Sequence, residues 1–148
     1  MNSDWFECKA RFDKTMDTGV QKKATETYLV DALSFTEAER RFIEEMTPRI
    51  SGEFTVKDIK RASLSEIFES DDAAADRWFK AKVAYISLDE KTGAEKRSNQ
   101  QVLIQGTDIR EAVKTLDKRM EGTLGEWVLV SIAETQIMDV FRYKKVEG

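Results

Sequence analysis

The chain has 148 residues, 41% of them apolar and 35% charged, and its 24 basic and 28 acidic side chains give a net charge of −4. This interspersed mixture is typical of a folded domain with a solvated surface, and it argues against binding nucleic acid over the whole surface. The sequence has no histidine and one cysteine, Cys8. An internal disulfide, a histidine-based catalytic triad or dyad and a histidine-ligated metal are therefore excluded.

The first residues and the hydropathy of the chain predict a cytoplasmic protein. Met1–Trp5 is polar and lacks the basic segment and apolar run of a secretory signal. No uncharged apolar run approaches the roughly 20 residues that a membrane-spanning helix needs. A lone cysteine also suits a reducing compartment. We expect no contact with a membrane.

Two parts of the chain correspond to each other in order. Trp5-Phe6 corresponds to Trp78-Phe79 at their starts, and Gly52-Glu53-Phe54 corresponds to Gly125-Glu126-Trp127 near their ends. Repeats of this kind indicate one structural unit used twice. We predict a tandem duplication of a β-β-α-β module, with a first repeat at 1–69, a linker at 70–77 and a second repeat at 78–148, together forming one compact domain.

Each repeat begins with the pattern of a β-hairpin. Apolar residues alternate with polar ones in the first strand, which is the period of a strand with one buried face. Glycine-containing turns at 17–19 and 89–93 follow, and second strands centre on Leu29 and Leu103. The residues predicted to face a core are Phe6, Cys8, Ala10 and Phe12 in the first repeat and Phe79, Ala81, Val83 and Tyr85 in the second.

A helix follows each hairpin. Ser34 stands three residues before Glu37, and Asp108 stands three before Glu111. Both spacings predict an N-cap side chain with a reciprocal glutamate. Pro48 and Gly122 are expected to end the two helices. The predicted apolar faces are Phe35, Ala38, Phe42 and Met46 in the first helix and Ile109, Ala112, Leu116 and Met120 in the second.

Third strands are predicted at 53–62 and 126–134. The apolar pieces Leu64–Phe68 and Ile137–Phe141 fit either a fourth edge strand or an irregular segment. The predicted fold class is α+β, with one or two antiparallel sheets, both helices on one face and a pseudo-twofold axis between the repeats.

Four motifs of the sequence resemble a known family. They are W-F-E-C-K at 5–9, Y-L-V-D-A-L-S-F-T-E-A-E at 28–39, I-S-G-E-F-T-V-K-D-I-K-R-A at 50–62 and A-A-D-R-W-F-K-A-K-V at 74–83. They resemble an uncharacterised, domain-of-unknown-function family of small Bacteroidota proteins. The resemblance covers nearly the whole chain and implies a small stand-alone protein. It implies no reaction and no site residues.

The sheet face opposite the helices is the candidate binding site. Paired tryptophans among cations can stack bases and neutralise phosphates. The same residues can instead be core or self-association residues, with lysine stems lying over the rings. The candidate site residues are Trp5, Lys9, Arg11, Trp78, Lys80 and Lys82.

Other polar clusters have simpler explanations. A second basic stretch, Lys57, Lys60 and Arg61, has no counterpart in the second repeat and is expected to protect a solvated edge strand. Asp71, Asp72 and Asp76 lack the glycine and the terminal glutamate of a calcium loop. No glycine-rich phosphate loop is present in the sequence, and no cofactor or metal is expected.

The sequence does not specify a biochemical function. We expect a non-enzymatic binding or adaptor protein that acts through the Trp/Lys-bearing sheet face, with another protein as the first-ranked partner. Single-stranded nucleic acid on that face, a small ligand held between the repeats and a histidine-free enzyme are the alternatives. Self-association into a homo-oligomer also stays open.

Overall fold

The computed structural model describes residues 4–143, which form eight strands and two helices, so the predicted α+β class is confirmed. No helix in this range is long and apolar enough to cross a membrane. The elements in chain order are β1 (Asp4–Thr15), β2 (Gln21–Ala32), α1 (Phe35–Met46), β3 (Phe54–Ala62), β4 (Glu66–Phe68), β5 (Arg77–Leu88), β6 (Glu95–Gly106), α2 (Ile109–Arg119), β7 (Glu126–Glu134) and β8 (Ile137–Phe141).

The chain divides into two compact units, each with its own sheet and helix. Unit 1 contains the described residues up to Ala62 and those from Gln136 onward, and unit 2 is Ser63–Thr135. The predicted repeats, 1–69 and 78–148, are defined by matching residues in the sequence, whereas the two units are defined by the compactness of the fold. Those boundaries stay a prediction, as does the expectation of one compact domain.

The strand order is equivalent in the two units. The unit 1 sheet has the order β3-β1-β2-β8, and the unit 2 sheet read in the same sense has the order β7-β5-β6-β4. β1 and β5 are antiparallel to both of their neighbours, whereas β8 runs parallel to β2 and β4 runs parallel to β6. The prediction of purely antiparallel sheets is therefore wrong, because each sheet has one parallel edge strand.

β4 and β8 each pair in a different sheet from the strand that precedes them in the chain. β4 follows β3 of unit 1 along the chain but pairs in unit 2, and β8 follows β7 of unit 2 but pairs in unit 1. Their connections explain why. The strand position beside β2, on the side away from β1, lies three strand spacings from β3, about 14 Å across the sheet. The four residue steps from Ala62 to Glu66 span at most about 14 Å. No residues would remain for the chain to return along the sheet to the point where a parallel strand must start.

The predicted helix starts are confirmed. The hydroxyl of Ser34 accepts a hydrogen bond from the Glu37 N–H at 3.1 Å, and the carboxylate of Asp108 accepts one from the Glu111 N–H at 2.8 Å. Each glutamate in turn accepts from the N–H of the residue before the cap, at 3.3 Å in α1 and 3.1 Å in α2. The first four N–H groups of any helix have no partner within the helix, so these caps fix where both helices begin.

Each helix buries its apolar stripe against the sheet of its own unit, as the alternation predicts. The first helical positions, Phe35 and Ile109, are partly exposed. The buried core of unit 1 is Phe6, Cys8, Ala10, Tyr28, Val30, Ala32, Ala38, Phe42, Met46, Ile50 and Phe141. That of unit 2 is Phe68, Phe79, Ala81, Val83, Val102, Ile104, Ala112, Leu116 and Met120.

A phenylalanine anchors each exchanged strand. Phe141 of β8 stacks on Tyr28 with ring centroids 5.2 Å apart, and the Arg49 guanidinium lies 4.6 Å from its centroid. Phe68 of β4 has Arg119 at 5.6 Å. An arginine from the C-terminal end of each helical segment therefore covers the ring that completes each core.

Phe141→Ala should destabilise unit 1 by about 3–5 kcal/mol, because the side chain is almost wholly buried in that core. Denaturant unfolding measures the loss, and amide hydrogen exchange should locate it in β2 and α1. Met138→Ala is the control, since Met138 is on the same strand but exposed, and should cost no more than about 0.5 kcal/mol. Faster exchange confined to unit 2 would contradict the strand exchange.

Candidate binding surfaces

The structure places the two predicted tryptophans in different environments. Trp5 lies on β1 of unit 1, where it is partly exposed and the Arg142 guanidinium lies 5.4 Å from its ring. Trp78 lies on β5 of unit 2 and is 3% exposed. Trp78 is therefore a core residue, one of the two alternatives that the sequence leaves open, and its ring cannot stack a base where it lies.

The predicted cations are divided between the two units. Lys9 and Arg11 share one side of β1 with Trp5, while Lys80 and Lys82 share one side of β5 with Trp78, as the alternation of each strand requires. The lysines are half-buried and Arg11 is exposed. Each set of three is spread along its strand, with Trp5 and Arg11 about 20 Å apart at ~3.3 Å per residue.

The sheet face opposite each helix is not the open surface that the sequence predicts. Leu29 and Leu103 lie on that face and are almost wholly buried. Alternation assigns a side chain to one face or the other, but it does not reveal which faces are covered. Gln105 of β6 binds the chain before β5: its side-chain oxygen accepts from the Ser70 N–H at 2.9 Å, and its side-chain nitrogen donates to the Ala75 carbonyl at 2.9 Å.

A groove at one end of unit 1 has a volume of about 740 Å³. It exists because α1 is much shorter than the strands it covers. Twelve helical residues span about 18 Å, whereas twelve strand residues span about 40 Å. The helix therefore leaves the hairpin end of its sheet uncovered, and the chain re-enters the sheet there through Gly52, whose φ of 95° favours glycine.

The groove has an apolar floor and a rim of mixed charge. Phe12, Phe54 and Val56 form the floor, and Ile43 of α1, 40% exposed, stands beside them. The charged lining residues are Arg11, Lys23, Asp13 and Glu53, two of each sign. Of the predicted site residues, Arg11 alone lines it. Sequence reasoning missed this site, although the short helix and long strands were a signal for it.

The basic stretch of β3 lies where the sequence predicts. β3 is an edge strand of the unit 1 sheet, paired on one side with β1. Lys57, Lys60 and Arg61 are exposed along it. Lysine on an edge strand discourages pairing with another chain.

A match to a family model identifies the family of the chain. A model described as "Domain of unknown function (DUF4494)" matches residues 4–143. The chain belongs to this family. No curated protein sequence matches it. The resemblance to a domain-of-unknown-function family is thus confirmed over nearly the full length of the chain.

Two ionisable side chains of this DUF4494 protein are held in their neutral forms. Burial raises the pKa of Cys8 to about 12, with Glu7 and Asp58 adding to the rise. Burial also raises the pKa of Tyr28 to about 12, helped by the hydrogen bond that its hydroxyl donates to Glu26 at 3.0 Å. At neutral pH neither group is an activated nucleophile or base.

Carboxylates of the DUF4494 chain are used locally. The backbone N–H groups of Lys91 and Thr92 lower the pKa of Asp89 in the second hairpin turn. The carboxylate of Asp72 accepts a hydrogen bond from the Ala74 N–H at 2.9 Å and so stabilises the turn before β5. Within residues 4–143, no three His, Cys, Asp or Glu side chains are grouped so that they could hold a metal ion.

The free energy of unfolding should fall as pH rises above about 9. Cys8 has a folded-state pKa of about 12 against an ordinary 9.0, so at intermediate pH the unfolded chain binds fewer protons than the folded one, and stability decreases with pH. Cys8→Ala should flatten this decline between pH 9 and 10 in urea unfolding. Tyr28→Phe is the control, because tyrosine ordinarily titrates near 10.0, and should flatten only the part above pH 10. Identical slopes for Cys8→Ala and the unaltered chain would refute the assignment.

Proposed function

We propose that this DUF4494 protein is a non-enzymatic binding protein, an adaptor whose partner is another protein held in the groove of unit 1. The observation that carries the proposal is Ile43, which exposes apolar surface beside the aromatic floor formed by Phe12 and Phe54. Exposed apolar surface with a polar rim is the usual composition of a protein-binding site.

Comparison of the two helices supports a functional origin for Ile43. Ile43 is nine residues after the N-cap Ser34, and Asp117 is nine residues after the N-cap Asp108. Asp117 is exposed on α2. The fold therefore accepts a charged residue at this helical position, so its stability does not explain an exposed isoleucine in unit 1.

The rim favours a protein over nucleic acid. Single-stranded nucleic acid is bound by a positive groove with aromatic stacking platforms, whereas the groove rim carries two cations and two carboxylates. Trp78, the second stacking residue of that hypothesis, is buried. Nucleic acid on the Trp5 side of β1, a small ligand and a histidine-free reaction are the other outcomes that the experiment below can return.

We infer further that the two modules arose by duplication and are related by a pseudo-twofold axis. Equal strand orders, equivalent helix caps and the reciprocal exchange of β4 and β8 support this origin. A cytoplasmic location is proposed with it, since a lone buried thiol such as Cys8 suits a reducing compartment.

Affinity purification of the tagged protein from its native cell, with and without nuclease, should recover the same protein partner in both samples. Ile43→Lys should reduce that recovery about tenfold, because it places a charge beside the apolar floor. Glu44→Lys is the control on the adjacent helical position, which is exposed and outside the groove, and should leave recovery unchanged.

Three results would overturn the proposal. Recovery that disappears with nuclease would favour nucleic acid. Equal recovery by Ile43→Lys and the unaltered protein would remove the groove from binding. No enriched protein, together with a co-purifying small molecule, would favour ligand binding or catalysis.

A further inference from the structure

We propose that the outer edge of β7 in unit 2 is a second binding site, which takes an extended apolar segment of a partner protein, flanked by basic residues, as an added strand. β7 is the end strand of its sheet, and no other strand within residues 4–143 pairs with its outer side. This site is separate from the groove of unit 1 and does not depend on it.

The composition of β7 is unusual for an exposed edge. Between Glu126 and Glu134 the strand reads Trp-Val-Leu-Val-Ser-Ile-Ala, seven residues without a charge. The corresponding edge of unit 1, β3, carries the cations Lys57, Lys60 and Arg61. Long uncharged edge strands recruit other strands, and natural sheets normally prevent this with lysine, proline or a covering element.

A β-bulge makes the contrast specific. In β3 the bulged residue is Lys57, which falls between the pairs Lys9–Asp58 and Ala10–Val56. In β7 the bulged residue is Val130, between the pairs Lys82–Ser131 and Val83–Leu129. A lysine is thus compatible with this bulge, yet unit 2 has a valine there that is 48% exposed.

Exposed apolar surface continues from the strand into the turn before it. Leu124 is 96% exposed, and Gly125 beside it has a φ of 89°. Trp127, Leu129 and Ile132 turn toward the core of unit 2 and anchor the strand there. The backbone groups on either side of the bulge at Val130 are therefore held in the extended geometry that strand addition needs, and Leu124 and Val130 offer apolar contact to the incoming side chains.

The flanking charges select the partner. Glu126 and Glu134 stand at the two ends of the uncharged run, so an incoming strand with lysine or arginine at its ends is electrostatically matched. Arg77 offsets Glu134 only in part, because their closest atoms are 3.7 Å apart and both side chains are more than half exposed.

A second copy of this chain is a poorer match. Antiparallel pairing of two β7 strands over their full length places Glu126 opposite Glu134 of the copy at both ends, and parallel in-register pairing also opposes like charges. Like charges directly opposite each other destabilise a strand pair. The segment that best matches the β7 edge is therefore one from a different protein, with basic residues at its ends.

Selection of a random dodecapeptide library displayed on phage, with the full-length protein as bait, tests the proposal. The expected consensus is a run of alternating apolar residues with lysine or arginine near both ends. Val130→Lys should abolish the enrichment, and because it installs the residue that β3 carries at its own bulge, the fold should tolerate it. Ser98→Lys is the control, an exposed lysine of equal charge on β6 of the same unit.

The selected peptide is then measured directly by fluorescence anisotropy at low salt. Replacing its basic ends with glutamate should weaken binding about tenfold, and N-methylation of alternate backbone amides should abolish it. This arm does not require any variant of the protein to fold. Absence of enrichment, equal enrichment on Val130→Lys, or a consensus with acidic ends would each overturn the proposal.

Sedimentation velocity of the protein alone tests whether a second copy of the chain occupies the β7 edge. A monomer over the concentration range of the binding assay is expected. Dimerisation that Val130→Lys abolishes would overturn the choice of occupant and assign the edge to a second copy. The groove variant Ile43→Lys should bind the selected peptide normally, so failure of either site is distinguishable from failure of the other.

Discussion

The short connection after each third strand is the constraint on which the two-unit organisation depends. Ala62 ends β3 at one edge of its sheet, and β4 begins four residues later, too soon to reach the vacant edge beside β2. β7 has the same restriction, because β8 begins three residues after Glu134. In each sheet the edge beside the second hairpin strand is therefore filled by a strand from another part of the chain. Burial of Phe141 and Phe68 in the two cores stabilises this arrangement of strands.

The ratio of helix length to strand length determines which parts of unit 1 remain accessible. α1 covers the middle of the sheet, where side chains such as Phe6 and Phe42 are wholly buried. Toward the hairpin the same strands continue without a helix above them, and their core-facing residues Phe12 and Phe54 become half-exposed. The groove is thus the continuation of the core beyond the end of its helix. Its apolar floor follows from the alternation that builds the core.

Local patterns predicted local structure well in this chain. Alternation in β1, the spacing from Ser34 to Glu37 and the bounds of β7 each depend on residues a few positions apart, and the structure confirms them. The partner of β4 and the burial of Trp78 could not be predicted in the same way. Both depend on residues far apart in the chain, and a pattern of period two is identical whether the outer face is exposed or buried. The environment of Trp78 could not be predicted for this reason, and binding through the other candidate residues stays a prediction.

Comparison of the two units separates what the fold requires from what it merely accepts. At the helical position of Ile43, unit 2 has Asp117, and at the bulge position of Val130, unit 1 has Lys57. Each unit exposes an apolar side chain where its counterpart carries a charge. Stability cannot account for both choices, because equivalent backbones carry either residue, and exposed apolar groups bring a risk of aggregation that a charge removes. One such group in each unit, at a different place, is what we expect of the two separate binding sites proposed above.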